Sequence, residues 1–268
     1  MVYDVFLSVV LIGTVYPIFL DVISSQKISV GPPFYHKLMI PFLIPFLIMM
    51  AIGPKLKWIK SQLVDKVYLI SFLIISILLA YLVLKNFNQN ILINTILISS
   101  ALYLFFITLR DFFVKKYKNI SQNIAHFGFS LLILSILFNN LFASEIITNL
   151  KVGETFENSK TKIVFESVDQ KKEKNYNAII ANFSISNSNG EEDRFSPELR
   201  IYNQPIIATS EADIKTTLMS DKFIVINLVQ NQDFFNVRYQ VKPLMLWIWL
   251  SVILISFGGI VSFLQKKS

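Results

Sequence analysis

This chain holds two imidazoles, His36 and His126, and no cysteine thiol. The lack of cysteine excludes disulfides, thiolate metal sites and thiol redox chemistry within the chain. His126 lies in NISQNIAHFGFSLLILSILFNN, residues 119–140, a turn inside a stretch otherwise suited to lipid. An ionisable side chain within a membrane span is costly unless it finds a partner, so it is a functional candidate by default. The competing reading is a neutral imidazole hydrogen-bonded to a neighbouring helix, and residue type alone leaves both open. Gly128, two positions on, removes a side chain and lets something flat or another helix approach closely. His36 follows the Gly31-Pro32-Pro33 sequence in QKISVGPPFYHK, residues 26–37, which reads as a rigid turn, and it is expected to be an interfacial residue. No Ser-His-acid triad, Gly-rich phosphate loop, paired-carboxylate site or His/Asp/Glu metal spacing is visible.

Elements able to hold such a histidine follow from hydropathy. The chain has 268 residues, 53% of them hydrophobic. Apolar runs of spanning length occur at roughly 5–23, 38–54, 67–84, 91–109, 122–142 and 243–263. The second run carries Pro41 and Pro45, tolerated in a span because neighbouring groups can satisfy the freed carbonyls. Between the fifth and sixth runs lies a polar insert of ~100 residues in which KTKIVFESV, NAIIANFSISN and KFIVINLVQ alternate apolar and polar positions around a turn signal at SNSNG, residues 186–190. The fold class expected is therefore a membrane all-α bundle of about six transmembrane helices with a small extracytoplasmic β domain inserted between helices 5 and 6. Its parts are residues 1–142, five spans; 143–242, the β-rich domain; and 243–268, the last span and a cytoplasmic tail.

The net charge of +7 does not point to nucleic acid, because residues 143–242 hold 12 basic against 14 acidic side chains and the excess lies at the membrane rim. Lys55, Lys57, Lys60, Lys66, Arg110, Lys115, Lys116, Lys118, Lys266 and Lys267 fall on one side, against Lys27, Lys37 and Lys85 in the short loops of the other. The asymmetry places both termini in the cytoplasm and the β domain outside the cytoplasmic membrane. Segment 110–121, RDFFVKKYKNIS, reads equally as a stretch lying on lipid headgroups or as a solvated loop, and the charged stretch around Glu198 and Arg200 reads as a solvated strand edge. Tyr35, Trp247 and Trp249 fit an aromatic belt.

Seven segments in order resemble the carboxyl-terminal part of the CcmF family, the haem-handling membrane subunit of cytochrome c maturation: GTVYPIFLD at 13–21, KISVGPPFY at 27–35, IGPKLKW at 52–58, NIAHFG at 123–128, SPELRIYNQP at 196–205, SEADI at 210–214 and VRYQVKPLMLWIWL at 237–250. The resemblance implies that His126 is one axial ligand of a b-type haem held in the membrane, with Gly128 leaving room for a macrocycle. It further implies a component of a haem lyase that takes haem from the holo-CcmE chaperone and attaches it to apocytochrome c, working with a CcmH-like subunit in a bacterial inner membrane, or in a mitochondrial inner membrane if organelle-encoded. The family's amino-terminal half, with its tryptophan-rich outer segment and second membrane histidine, has no counterpart here, so either the gene is split or the sequence is truncated. The second axial ligand is then expected from an amino-terminal CcmF-like chain or half, and no complete active site from this chain alone. His36 and His126 lie at opposite faces of a core ~30 Å thick and cannot share one iron. Met49 and Met50, at a depth similar to that of His126, are the local alternative ligands. The rival reading is a membrane scaffold or transport-type component that assembles partner subunits and binds no haem.

Overall fold

The computed structural model describes residues 2–24, 30–56, 66–87, 91–114, 120–187, 190, 192–229 and 233–265. Six helices within them are long and apolar enough to cross a membrane: α1 (Val2–Ser24), α2 (Pro32–Ile52), α3 (Lys66–Leu84), α4 (Ile91–Phe113), α5 (Ile120–Phe142) and α6 (Met245–Gln265). The six expected spans are therefore present, with most ends displaced by a few residues.

The largest displacement is at α2. Gly31 is its N-cap in extended backbone, and Pro32 and Pro33 occupy the first helical positions. The first turn of a helix has no use for those N–H groups and already wants φ near −65°, so the prolines start a helix rather than end a loop. His36, expected in the loop, thus belongs to the first turns of α2, which continues through Pro41 and Pro45. Over half of α4 is buried, against about a tenth of α1, α2 and α6, so α4 is the helix around which α2, α3 and α5 gather.

Between α5 and α6 the described residues form ten strands: β1 (Ser144–Leu150), β2 (Thr155–Glu157), β3 (Thr161–Lys172), β4 (Tyr176–Asn187), β5 (Glu192–Phe195), β6 (Glu198–Asn203), β7 (Ile206–Glu211), β8 (Asp213–Thr216), β9 (Ser220–Leu228) and β10 (Phe235–Pro243). They make two sheets, ordered β1-β10-β9-β8 and β2-β3-β4-β6-β7, with β5 also paired to β4 and the described pairings all antiparallel. Period-2 alternation puts one face of each sheet into a common core, where Phe165 stacks on Phe183 at 4.5 Å between ring centroids and Phe195, Ile224, Ile226 and Val237 complete the packing. The turn signal at SNSNG falls partly outside the described residues, but Gly190 supplies a positive φ of 78° there.

The sheets are tied along one side by charge. Asp193 of β5 accepts from Lys222 of β9 at 2.8 Å and from Lys215 of β8 at 3.5 Å, and these bonds hold its carboxyl below the usual aspartate range. Arg200 is not on an edge: β6 lies between β4 and β7, and the guanidinium pairs with Glu198 at 2.8 Å over the ring of Tyr176. The expectation of a solvated edge there is corrected by the strand order.

Candidate functional site

His126 stands two turns into α5, and its surroundings follow from helix periodicity. A short connection joins α4 to α5, so the two run antiparallel and pair in reverse order. Phe127 packs on Phe105 and Phe112 at 5.5 and 5.2 Å, and the hydroxyls of Ser130 and Thr108 meet at 3.3 Å. Ser130 is four residues beyond His126 and Asp111 three beyond Thr108, so one turn toward the α4–α5 connection the imidazole shares a side with Asp111. Phe129 meets Phe46 of α2 edge-on at 5.9 Å, so α5 is held against α2 as well.

Asp111 does not stand alone. Lys55, in the single 3₁₀ turn Gly53–Lys55 that closes α2, donates to both of its carboxylate oxygens at 2.6 and 2.9 Å, with side-chain exposures of 3% for the lysine and 10% for the aspartate. The sequence reading counts Lys55 among the rim charges and places Asp111 in a segment lying on lipid headgroups or in a solvated loop; the buried pairing of the two is not expected from it. Burying a charge this far from water is costly unless a counter-charge meets it, as Asp111 does here. Asp111 lies in the last turn of α4, together with Arg110, whose guanidinium sits 3.7 Å over the ring of Tyr68 on α3. Residues 115–119 of the supposed surface segment lie outside the described residues, as do Lys27, Lys57, Lys60, Lys266 and Lys267 of the charge count.

The half-buried imidazole of His126 feels the field of Asp111 and, less strongly, of Lys55. Among the described residues it has no hydrogen-bond partner, so the purely structural reading of this histidine lacks its acceptor. Gly128 lies about 200° further round α5, at 100° per residue, and faces elsewhere. A Cβ there would come within 3.0 Å of Ile255 on α6, and one on Gly258 within 2.8 Å of the Ala125 backbone. Of the two uses open to Gly128, close helix approach is the one realised: Gly128 and Gly258 let α5 and α6 pack backbone to backbone. The room it was expected to give a flat ring is taken by α6.

As a ligand set for haem iron, the described residues offer one imidazole nitrogen in an apolar setting, near the Lys55–Asp111 pair but not hydrogen-bonded to it. One such nitrogen could supply one bond to the iron. Met49 is exposed on the outward side of α2. His36 lies about four turns before Ile52 at the other end of the same helix, and its side chain is outside what is described. No group of three or more His, Cys, Asp or Glu side chains that could cage a metal ion exists among the described residues. The Lys55–Asp111 pair was not legible beforehand; the only hint was a lysine directly after a span in IGPKLKW and an acid in the basic run RDFFVKK.

Residues 141–243 match the family described as the CcmF C-terminal beta-sandwich. The whole chain is similar to cytochrome c-type biogenesis proteins CcmF: 25% identical to that of Pseudomonas fluorescens, over 97% of this chain and 42% of the relative, and 22% identical to that of Escherichia coli K12, over 97% and 41%. Among solved structures it superposes on a cytochrome c haem lyase CcmF with a TM-score of 0.72 and 20% identity, covering 97% of this chain and 43% of that one. The chain thus resembles the carboxyl-terminal part of CcmF and spans about two fifths of the length of the curated relatives it matches. The expected resemblance and the expected architecture, six apolar helices with a β-sandwich between the fifth and sixth, both hold.

Proposed function

We propose that this chain is the haem-handling, carboxyl-terminal part of a cytochrome c haem lyase, with His126 as one axial ligand of a membrane haem b. The observation that carries the reading is a half-buried imidazole without a hydrogen-bond partner among the described residues, set beside Asp111 in a chain that resembles CcmF over 97% of its length. Bound there, a haem would supply one-electron redox chemistry suited to keeping an incoming haem iron reduced for attachment. The residues of this chain do the positioning. His126 would present a ring nitrogen, and the ion pair of Lys55 with Asp111, close by, ties the end of α2 to the end of α4. The second axial nitrogen comes from an amino-terminal CcmF-like chain or half.

On this reading the protein sits in a bacterial inner membrane, or in the mitochondrial inner membrane if organelle-encoded. Residues 1–142 and 243–268 form the membrane part, and residues 143–242 face the periplasm. There the β domain meets a CcmH-like subunit, holo-CcmE and apocytochrome c, and covalent attachment of haem requires the assembled complex rather than this chain.

The test is to purify the chain with and without an amino-terminal partner and compare wild type, His126→Ala, His36→Ala and Met49→Leu/Met50→Leu by absorption and low-temperature spin resonance. A bis-histidine b-type signal is expected only with the partner, lost in His126→Ala and kept in the other two. A bis-histidine signal from this chain alone that survives His126→Ala overturns the assignment. Stable assembly with the partner and no haem signal in the wild type would favour the scaffold reading.

A further inference from the structure

The β8–β9 turn, Thr217–Leu218–Met219–Ser220, carries two large apolar side chains into the open, with Leu218 68% and Met219 67% exposed. Strand register fixes which end of its sheet this is. β1 begins with Ser144 opposite Val241, directly after α5; β10 ends with Pro243 opposite Ser220, directly before α6; and Thr216 lies opposite Asp221. Both crossings between helix and sheet, and the β8–β9 turn, therefore occur at one edge. The turn is also fastened to the entrance of α6. The Leu244 N–H donates to the Met219 carbonyl at 2.8 Å, and the Trp247 indole N–H donates to the Leu218 carbonyl at 2.9 Å. Leu244 adopts a φ of 59°, a conformation uncommon outside glycine, in making the first of these bonds.

We propose that this turn is a lipid anchor: Leu218 and Met219 insert into the headgroup–acyl boundary of the bilayer that α6 enters. Three features of the turn select lipid rather than water. Tryptophans at the start of a span sit at headgroup level, and here Trp247 and Trp249 lie in the first two turns of α6, so a carbonyl bonded to Trp247 is at that level too. The backbone of the turn is largely satisfied from within, as a segment leaving water requires. The Thr217 N–H donates to the Ser220 carbonyl at 2.9 Å, and the Thr217 hydroxyl accepts from the N–H groups of Met219 and Ser220 at 3.4 and 3.0 Å. Lys215, Lys222 and Lys242 stand one to two register positions behind the tip, where phosphate groups of the same leaflet would lie. Asp193 and Asp221 share that zone, so the apolar pair carries the insertion and the cations set its depth. The proposal depends on α6 crossing a bilayer and not on the haem assignment.

Because the chain has no cysteine, single-cysteine variants report without a background. L218C and M219C, with V152C as control, are each labelled with an environment-sensitive fluorophore in the full chain and reconstituted into phosphatidylcholine–phosphatidylglycerol vesicles. Val152 is 53% exposed in the turn after Leu150, at the opposite end of β1. Probes at 218 and 219 should be blue-shifted, quenched severalfold more by shallow spin-labelled lipid than the probe at 152, and shielded from aqueous iodide. Iodide quenching at 218 and 219 equal to that at 152 overturns the proposal. So does shielding from both quenchers, which would mean that the tip is covered by protein.

Discussion

Phe183 in the β domain and Ile70 in α3 are both large and apolar, yet the first is 1% exposed and the second 56%. The β domain obeys water: its two sheets close over Phe165, Phe183 and Phe195, and its polar side chains turn outward. The helices obey another solvent. Where lipid is as apolar as leucine, burying leucine gains little, and helices are held by close approach and polar contacts instead. In the helices such contacts include Ser130 with Thr108, Lys55 with Asp111, Arg110 with Tyr68, and the backbone contacts of Gly128 and Gly258 with the facing helix. The same apolar residue is therefore structural cement in one region and a solvent-facing surface in the other.

The sharpest way to break this contrast is a pair of truncations in the full chain in detergent. Phe183→Ala should destabilise the β domain by about 3–5 kcal/mol, whereas Ile70→Ala should change helix stability by less than about 0.5 kcal/mol. Thermal unfolding followed by protease resistance of each region checks both, and equal losses would mean that Ile70 faces protein. Next comes Lys55→Met, expected to cost roughly 3 kcal/mol because it strands a buried carboxylate; Lys55→Met/Asp111→Leu should recover most of the loss in the same melt. If the single and double variants melt together, the pair is not what holds α2 to α4.

A smaller effect separates two adjacent glycines. Gly258→Ala puts a methyl within 3.0 Å of the Ala125 and Ser121 backbone and should cost about 1–2 kcal/mol, while at Gly259 nothing lies within 4 Å of the added methyl, and Gly259→Ala should be neutral or slightly stabilising. Smallest is a pH effect confined to the β domain. The Lys222 hydrogen bond lowers the folded-state pKa of Asp193, so its contribution is fully present above the unfolded aspartate value of ~3.9 and fades as pH falls through the lower folded value. Acid titration of the β-domain melting temperature should show a component at the acid end of that range that is absent in Asp193→Asn, while helix melting lacks it.

How much was legible beforehand divides along the same line. Spans announce themselves by length and hydropathy, and β3, β4 and β9 by alternation, because both signals are local. The pairing of Lys55 is not legible because nothing local says that Asp111, 56 residues on, will meet it. Gly128 was ambiguous for a similar reason: a missing side chain does not name its visitor, and Ile255 lies on the far side of a whole domain in sequence. His36 is expected beside a rigid turn because Gly-Pro-Pro reads as one, whereas after the Gly31 cap the two prolines begin a helix. Arg200 was taken for an edge residue because strand order is a property of pairing, not of the strand. His126 itself stood out from the sequence, but its side of α5 could be assigned only once Ser130 had found Thr108.

β1 and β10, the first and last strands of the insert, pair along seven residues, and just beneath them the Asn139 amide of α5 donates to the Pro243 carbonyl at 2.5 Å. Once the insert has folded, its ~100 residues act on the ribbon of chain as a two-strand clasp, and the effective loop between α5 and α6 shrinks to a hairpin. Loop closure grows only logarithmically with length, but here even that cost is met by a domain that folds for its own reasons in water. The clasp holds the start of α6 beside the end of α5, so ordering the insert also brings together the two helices that Gly258 packs backbone to backbone.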